Sequence, residues 1–304
     1  MGLNEYIIRK IPELMGKHDS KRLLKYKVEV EGVKEFCDIP YMEGGHKQHL
    51  LDVYYPEGTT SPLPIIIDIH GGAWVYGYKE INKPFCLTLA KAGFVVVNIN
   101  YRLLPEVSFP ENLRDIFAAF NWVEANAKEF YGDLNNVFLV GDSAGGHLAA
   151  TATAAIVDSE FAKKCGVRSS LKFKALGMIC PATDIEKFTK HDRIPILKYF
   201  HKIFLGEDYR NSVYLKHLTV RNNMMEKFPP VFIISNEGDF LKRQVIDFAK
   251  ECEKRGVKYE FHYTRKKGST TKLEHVSNVL YPTYPESIAA NDAMLEFFLK
   301  HAAK

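Results

Sequence analysis

Cysteine is scarce in this chain, and its arrangement excludes more than its number does. Cys37, Cys86, Cys165, Cys180 and Cys252 are scattered and odd in number, and no Cys-x-x-Cys pair occurs. Neither a zinc ribbon nor a disulfide framework is supported. Free thiols in a reducing compartment is the simple reading, which places the protein in the cytoplasm. Long apolar runs are lacking too, so nothing approaches membrane-spanning length. The N-terminal MGLNEYIIRKIPEL carries charge throughout and has no signal-peptide core, and Tyr6 stands where myristoylation of Gly2 would want Ser or Thr. An excess of one charge is also missing. The formal net charge is only +4, without a basic stripe interleaved with aromatics, which argues against a nucleic-acid partner. No internal repeat and no low-complexity tract stands out.

What is present is a globular composition. The chain has 304 residues and 46% hydrophobic content, enough for one large domain or two small ones. Its organising stretch is VFLVGDSAGGHLAA, from Val137 to Ala150. An apolar strand pattern runs straight into Gly141-Asp142-Ser143-Ala144-Gly145, and an alanine-rich helical pattern follows. That order of strand, sharp turn and helix is what a Gly-x-Ser-x-Gly nucleophile elbow requires. The glycines avoid collisions with the neighbouring strand and helix, and the helix N-terminus favours negative charge developing beside Ser143.

The rest of the chain alternates strands and helices. Residues 1–32 read as an amphipathic helix with Tyr6, Ile7, Ile11, Leu14 and Met15 at helical spacing, either packed on the core or part of a lid. Val33–Tyr41 and His49–Tyr55 read as an antiparallel hairpin around Glu43-Gly44-Gly45. His46 and His49 at its tip would need a third metal partner, and none is nearby in sequence, so they read as surface histidines. Buried strands are predicted over Pro64–Ile69, Phe94–Asn98, Val137–Val140, Ala175–Cys180 and Pro230–Ser235, with a last strand over Tyr259–Tyr263. Helices are predicted over Ile81–Ala92, Glu111–Glu129, Gly145–Lys163, Leu241–Arg255 and Ile288–Ala302, with Trp122 in the core. Asp184 to Pro229 is too long for an ordinary connection and rich in aromatics, which reads as a helical insertion. The whole predicts an α/β fold: a mostly parallel sheet covered by helices on both faces.

A serine hydroxyl needs a histidine to take its proton and an acid to orient that histidine, in the chain order Ser, acid, His. Of the late histidines, His301 is at the C-terminal end and His262 is in a strand pattern, whereas His275 lies in a loop that can reach the elbow, so His275 is favoured and His262 stands second. Asp184, Glu237, Asp142 and Asp239 compete for the acid. Asp239 is favoured by chain order and loop length, although an N-cap role would also explain it, and Asp184 remains the alternative. The strand ending at Ile69 opens into His70-Gly71-Gly72-Ala73-Trp74, where backbone N–H groups can face a developing alkoxide. Ser169-x-x-Lys172 has the spacing of a Ser-Lys nucleophile pair but lacks its partner motif, so chance explains it.

These motifs together resemble the hormone-sensitive-lipase-like branch of the α/β-hydrolase fold. His70-Gly71-Gly72-Ala73-Trp74 is similar to its His-Gly-Gly-Gly-Trp loop, Tyr101-Arg102-Leu103 with Pro105-Glu106 to its Tyr-Arg-Leu-Ala-Pro-Glu segment, Gly141–Gly146 to its nucleophile motif, and Gly238-Asp239-Phe240-Leu241 to its acid motif. The resemblance implies a serine carboxylesterase for short acyl esters that needs neither metal nor organic cofactor. Ser143, Asp239 and His275 would form the triad, and the N–H groups of Gly72, Ala73 and Ala144 the oxyanion hole. The single domain spanning 1–304 would carry cap segments at 1–32 and 185–228. A deacetylase of sugar acetates, an aryl formamidase, a peptidase or a non-catalytic receptor would share the scaffold. The expected partner is a small ester, and a homodimer is left open. Three departures stand out: Ala73 replaces the third glycine, His147 stands where the family often has Asn, and Val276-Ser277 follows His275 in place of Gly-Phe.

Overall fold

The computed structural model describes residues 2–26, 28–186, 194–224 and 227–303. The part of the expected second cap segment at 187–193 and 225–226, including Phe188, lies outside the described residues. The strands are β1 (Val33–Pro40), β2 (Leu50–Pro56), β3 (Leu63–Ile69), β4 (Val95–Ile99), β5 (Gly132–Asp142), β6 (Phe173–Ile179), β7 (Val231–Asn236) and β8 (Tyr259–Thr264). They form one sheet in the order β1-β2-β4-β3-β5-β6-β7-β8. Within this sheet β1–β2 and β2–β4 pair antiparallel, and the later strand pairs are parallel. The predicted N-terminal hairpin and mostly parallel sheet are therefore both present.

Around the sheet run α1 (Leu3–Lys25), α2 (Lys79–Lys91), α3 (Glu111–Asn126), α4 (Ala144–Val157), α5 (Ser159–Cys165), α6 (Pro195–Leu205), α7 (Lys242–Lys254), α8 (Ser277–Leu280) and α9 (Pro285–His301). Because strand side chains alternate in direction, adjacent residues feed opposite faces. Ile65, Ile67, Val137 and Leu139 join one core with Leu113 and Phe120 of α3 and Leu148 of α4. Ile66, Phe138 and Val140 join the other with Phe85 of α2 and Met294 and Phe298 of α9. Burial on both faces explains why these strands read as unbroken apolar runs.

Three local expectations are corrected. The predicted helix at Gly145–Lys163 is two helices, because Asp158 has an extended backbone and its side chain accepts the N–H groups of Glu160 and Phe161, capping α5. Strand β5 starts at Gly132, five residues before its apolar run, because Gly132 and Asp133 pair with Leu63 and Pro64. The N-terminal helix ends at Lys25, and its face differs from the one expected: Ile8 is buried and Ile11 and Met15 pack on the core, whereas Tyr6, Ile7 and Leu14 are exposed. No helix among the described residues is long and apolar enough to cross a membrane.

Candidate active site

Ser143 follows β5 directly, near the middle of the sheet, with φ +51° and ψ −116°. That left-handed backbone is unfavourable for a residue bearing a Cβ, and it is fixed by the turn: Ser143 N–H donates to Ile179 C=O at 2.8 Å. Gly145 is required by close approach, since a Cβ there would lie 2.0 Å from the carbonyl oxygen of Ile69. The turn presents the serine hydroxyl to a neighbouring imidazole. His275 Nε2 is 2.8 Å from Ser143 Oγ, and His275 Nδ1 is 2.7 Å from Asp239 Oδ1. With the proton on Nδ1, the ring donates to the carboxylate and accepts from the serine hydroxyl.

Asp239 is held from several sides. Its Oδ1 also accepts the N–H of Leu241 at 2.8 Å, and its Oδ2 accepts the Ser235 hydroxyl at 2.8 Å. Burial opposes ionisation here, but the hydrogen bond and the charge of His275, with these further donors, hold the carboxyl below its ordinary range. The cap-like bond to Leu241 and the bond to His275 coexist on one oxygen. The other acids lie elsewhere. Asp184 pairs with Arg221 and its N–H meets Gln244, and Glu237 accepts the N–H of Lys266 at 2.7 Å. His262 is registered against Ile234 within β8, and His301 contacts Phe297 C=O at the end of α9. Ser169 and Lys172 lie in the connection between α5 and β6.

Asp142 has a different task. Its Oδ1 accepts the N–H of Gly71 at 2.9 Å and the side-chain amide of Asn82 at 2.9 Å. That same amide reaches Asp68 Oδ2 at 2.9 Å. The loop after β3 is thereby tied to the elbow. Burial, and then the charge of Asp142, push Asp68 up to about 7, and burial raises Asp142 as well. His70 braces the loop from behind: its ring stacks on Tyr101 at 4.5 Å, its Nδ1–H donates to Gly71 C=O at 2.8 Å, and burial pushes its pKa down to about 4.

Gly72 has φ +116°, and a Cβ there would meet Tyr76 C=O at 2.0 Å, so glycine is required by both conformation and space. Ala73 and Trp74 also adopt left-handed backbone, with φ of +53° and +62°. Glycine would adopt the Ala73 conformation without the steric cost that a Cβ brings. Ala144 is the first residue of α4, where N–H groups have no intrahelical acceptor.

These groups open onto a cavity of about 500 Å³ lined by Ser143, His275, Gly71, Gly72 and Ala73, and by the apolar side chains Leu14, Met15, Ile81, Val276 and Leu280. Leu14, Met15, His18 and Asp19 come from α1. Phe240, 74% exposed, lies 4.2 Å from the His275 ring and also lines the cavity. The lid reading of residues 1–32 agrees with these α1 contacts, whereas no sequence signal marks Phe240 as part of the cavity wall. Tyr76 OH donates to Asp19 Oδ2 at 3.0 Å and Arg22 Nη1 donates to Leu280 C=O at 2.9 Å, which fixes α1 over the cavity.

Among the described residues, one group has metal-ligand proximity: Cys180, Asp239 and His275, with ligand atoms within 4.8 Å of one another. It does not fit a metal. Burial, then the charge of Asp239, push the Cys180 thiol well above its usual range, and Asp239 and His275 already satisfy each other. His46 contacts Glu106 at 2.6 Å and His49 lies 3.2 Å from Asp115, so each has a carboxylate neighbour; His49 is buried rather than at the surface.

The family profile described as alpha/beta hydrolase fold matches residues 66–268. Carboxylesterase NlhH of Mycobacterium tuberculosis is 31% identical over 218 residues, which is 68% of this chain and 66% of that protein. Versiconal hemiacetal acetate esterase of Dothistroma septosporum is 28% identical over 264 residues, covering 77% of this chain and 72% of that protein. Among solved structures, the tributyrin-phosphonate-inhibited esterase B of Lactobacillus rhamnosis has a TM-score of 0.91 at 28% identity, covering 98% of this chain and 95% of that one. The chain belongs to the α/β-hydrolase-fold family. Within it, the class is carboxylic ester hydrolase.

Proposed function

We propose that the protein hydrolyses short-chain acyl esters of small alcohols through a Ser143–His275–Asp239 triad and an acyl-enzyme. The observation that carries this reading is the hydrogen-bonded chain Asp239–His275–Ser143 at the mouth of an apolar cavity. His275 takes the Ser143 proton as Oγ attacks the ester carbonyl. The N–H groups of Gly72, Ala73 and Ala144 hold the oxyanion, each such donor being worth about two to three orders of magnitude in rate. His275 then gives its proton to the departing alcohol, and water repeats the sequence on the acyl-enzyme. Asp239 keeps the imidazole in the tautomer that can accept and stabilises the imidazolium. Leu14, Met15, Ile81 and Leu280 seat a short acyl chain. The tributyrin phosphonate on the esterase B relative supports a butyryl-sized group.

In this reading 1–304 is one domain. Segments 1–32 and 185–228 form its cap, supported by the packing of α1 on α6 and the place of α1 in the cavity wall. Free cysteines, four of them buried, support a reducing, cytoplasmic setting. The test is p-nitrophenyl butyrate hydrolysis by Ser143→Ala. A kcat loss of about 10³-fold or more is expected. Turnover at the wild-type rate would end the reading.

A further inference from the structure

A second cavity, of about 460 Å³, shares a wall with the catalytic one. His18 and Glu274 line both, and Glu274 is the neighbour of His275. The mechanism above makes no use of it. Its chemistry is different: the catalytic cavity includes the aliphatic side chains Leu14, Ile81, Val276 and Leu280, and this one instead presents Tyr26, Tyr281, Tyr284, Lys272 and Thr271. Tyr281 and Tyr284 stack with ring centres 5.0 Å apart and planes 7° apart. Tyr26 meets both edge-on, at 5.1 and 6.3 Å.

The walls are held before any ligand arrives. Glu286, at the start of α9, accepts the hydroxyls of Thr270 and Thr271 at 2.9 and 2.7 Å. Lys272 Nζ is 3.0 Å from Glu274 Oε2. The Arg22 bond to Leu280 C=O fixes α1, which carries Tyr26 just past its end, against the segment bearing Tyr281.

We propose that this cavity is a leaving-group subsite for a polyhydroxylated alcohol, glycerol or a sugar, whose short acyl group occupies the apolar cavity beside it. The inference rests on the esterase reading. A polyol presents C–H faces that pack on aromatic rings and hydroxyls that both donate and accept, which matches tyrosines set beside a lysine and a carboxylate. A plain alkyl alcohol would gain no hydrogen bond from those groups, which meanwhile pair with one another and with water. A phosphorylated alcohol fits poorly, because Glu274 offsets the charge of Lys272.

The experiment measures kcat/KM for wild type, Tyr284→Ala and Lys272→Ala on ethyl butyrate, phenyl butyrate, monobutyrin and a monobutyryl glucose. Lys272 is 85% exposed, so its substitution leaves folding intact. Wild type is expected to prefer one or both polyol esters over ethyl butyrate by about tenfold, and each substitution to lower that ratio, mostly through KM, by about three- to tenfold. Which polyol gains identifies glycerol or sugar. A wild-type ratio near one, a ratio unmoved by both substitutions, or a preference for phenyl butyrate alone would overturn the subsite while leaving the esterase reading in place. Failure to cleave any ester would overturn both.

Discussion

Replacing Asp142 with alanine should damage catalysis without touching any atom of the Ser143–His275–Asp239 chain. The Asp142 carboxylate is buried, and its Oδ1 receives both Gly71 N–H and the Asn82 amide at 2.9 Å. Alanine would leave two buried N–H donors unpaired, each costing about 1–3 kcal/mol, so a loss of about 2–6 kcal/mol in stability is expected. The loop that carries Gly72 and Ala73 would lose its tie to the elbow. Misplacement of that loop by an ångström, or loss of one oxyanion donor, costs about 10²-fold or more in kcat. Asp142→Asn keeps an acceptor oxygen toward Gly71 and removes the charge that faces Asp68. It should stay within about 1 kcal/mol of wild type and within about tenfold in kcat. Urea denaturation and p-nitrophenyl butyrate kinetics on the two variants measure both effects. If Asp142→Ala kept wild-type kcat, or if alanine and asparagine were equally damaging, the loop would not depend on this acceptor and the reasoning would fail.

His147 has no exposure, donates from Nε2 to Leu218 C=O at 2.8 Å, and is pushed by burial down to about 4. An unfolded histidine titrates near about 6.5, so the unfolded state binds the extra proton and stability falls as pH drops from 6.5 toward 4. Between pH 7 and 4.5 this residue should contribute about 2 kcal/mol of that fall. His147→Gln should flatten the urea-midpoint profile by that amount, and an unchanged slope would contradict the assignment. Ala73→Gly relieves a left-handed backbone worth about 1–2 kcal/mol while adding about 0.5–1 kcal/mol of chain entropy cost. A small gain in thermal stability with kcat changed by less than about threefold is expected, because the N–H is retained. A large loss of kcat would show that the alanine methyl group itself matters.

Much of the candidate site was legible because its chemistry is local. The turn at Ser143, the glycines of the loop at Gly71-Gly72 and the acid after β7 each sit at a strand end, where residue type, spacing and chain order carry the information. What was hidden depends on contacts distant in sequence. The spacing of α1 shows that it has apolar positions, but only the bond from Tyr76 to Asp19 and the anchor of Arg22 on Leu280 decide which of them face the cavity. The break at Asp158 was missed because alanines on one side mask a capping side chain on the other. The start of β5 at Gly132 was missed because its pairing with β3, rather than its own hydrophobicity, makes it a strand. Phe240 lies one residue after the assigned acid, yet its place over His275 follows from the fold of two separate loops.

The central claim is that the imidazole 2.8 Å from Ser143 Oγ makes that oxygen a nucleophile. Fluorophosphonate labelling followed by peptide mass spectrometry tests it most directly. The account predicts one adduct, on Ser143, formed quickly by wild type and slowed by about 10³-fold or more in His275→Ala. Labelling of a different residue, or equal rates in the two proteins, would contradict it.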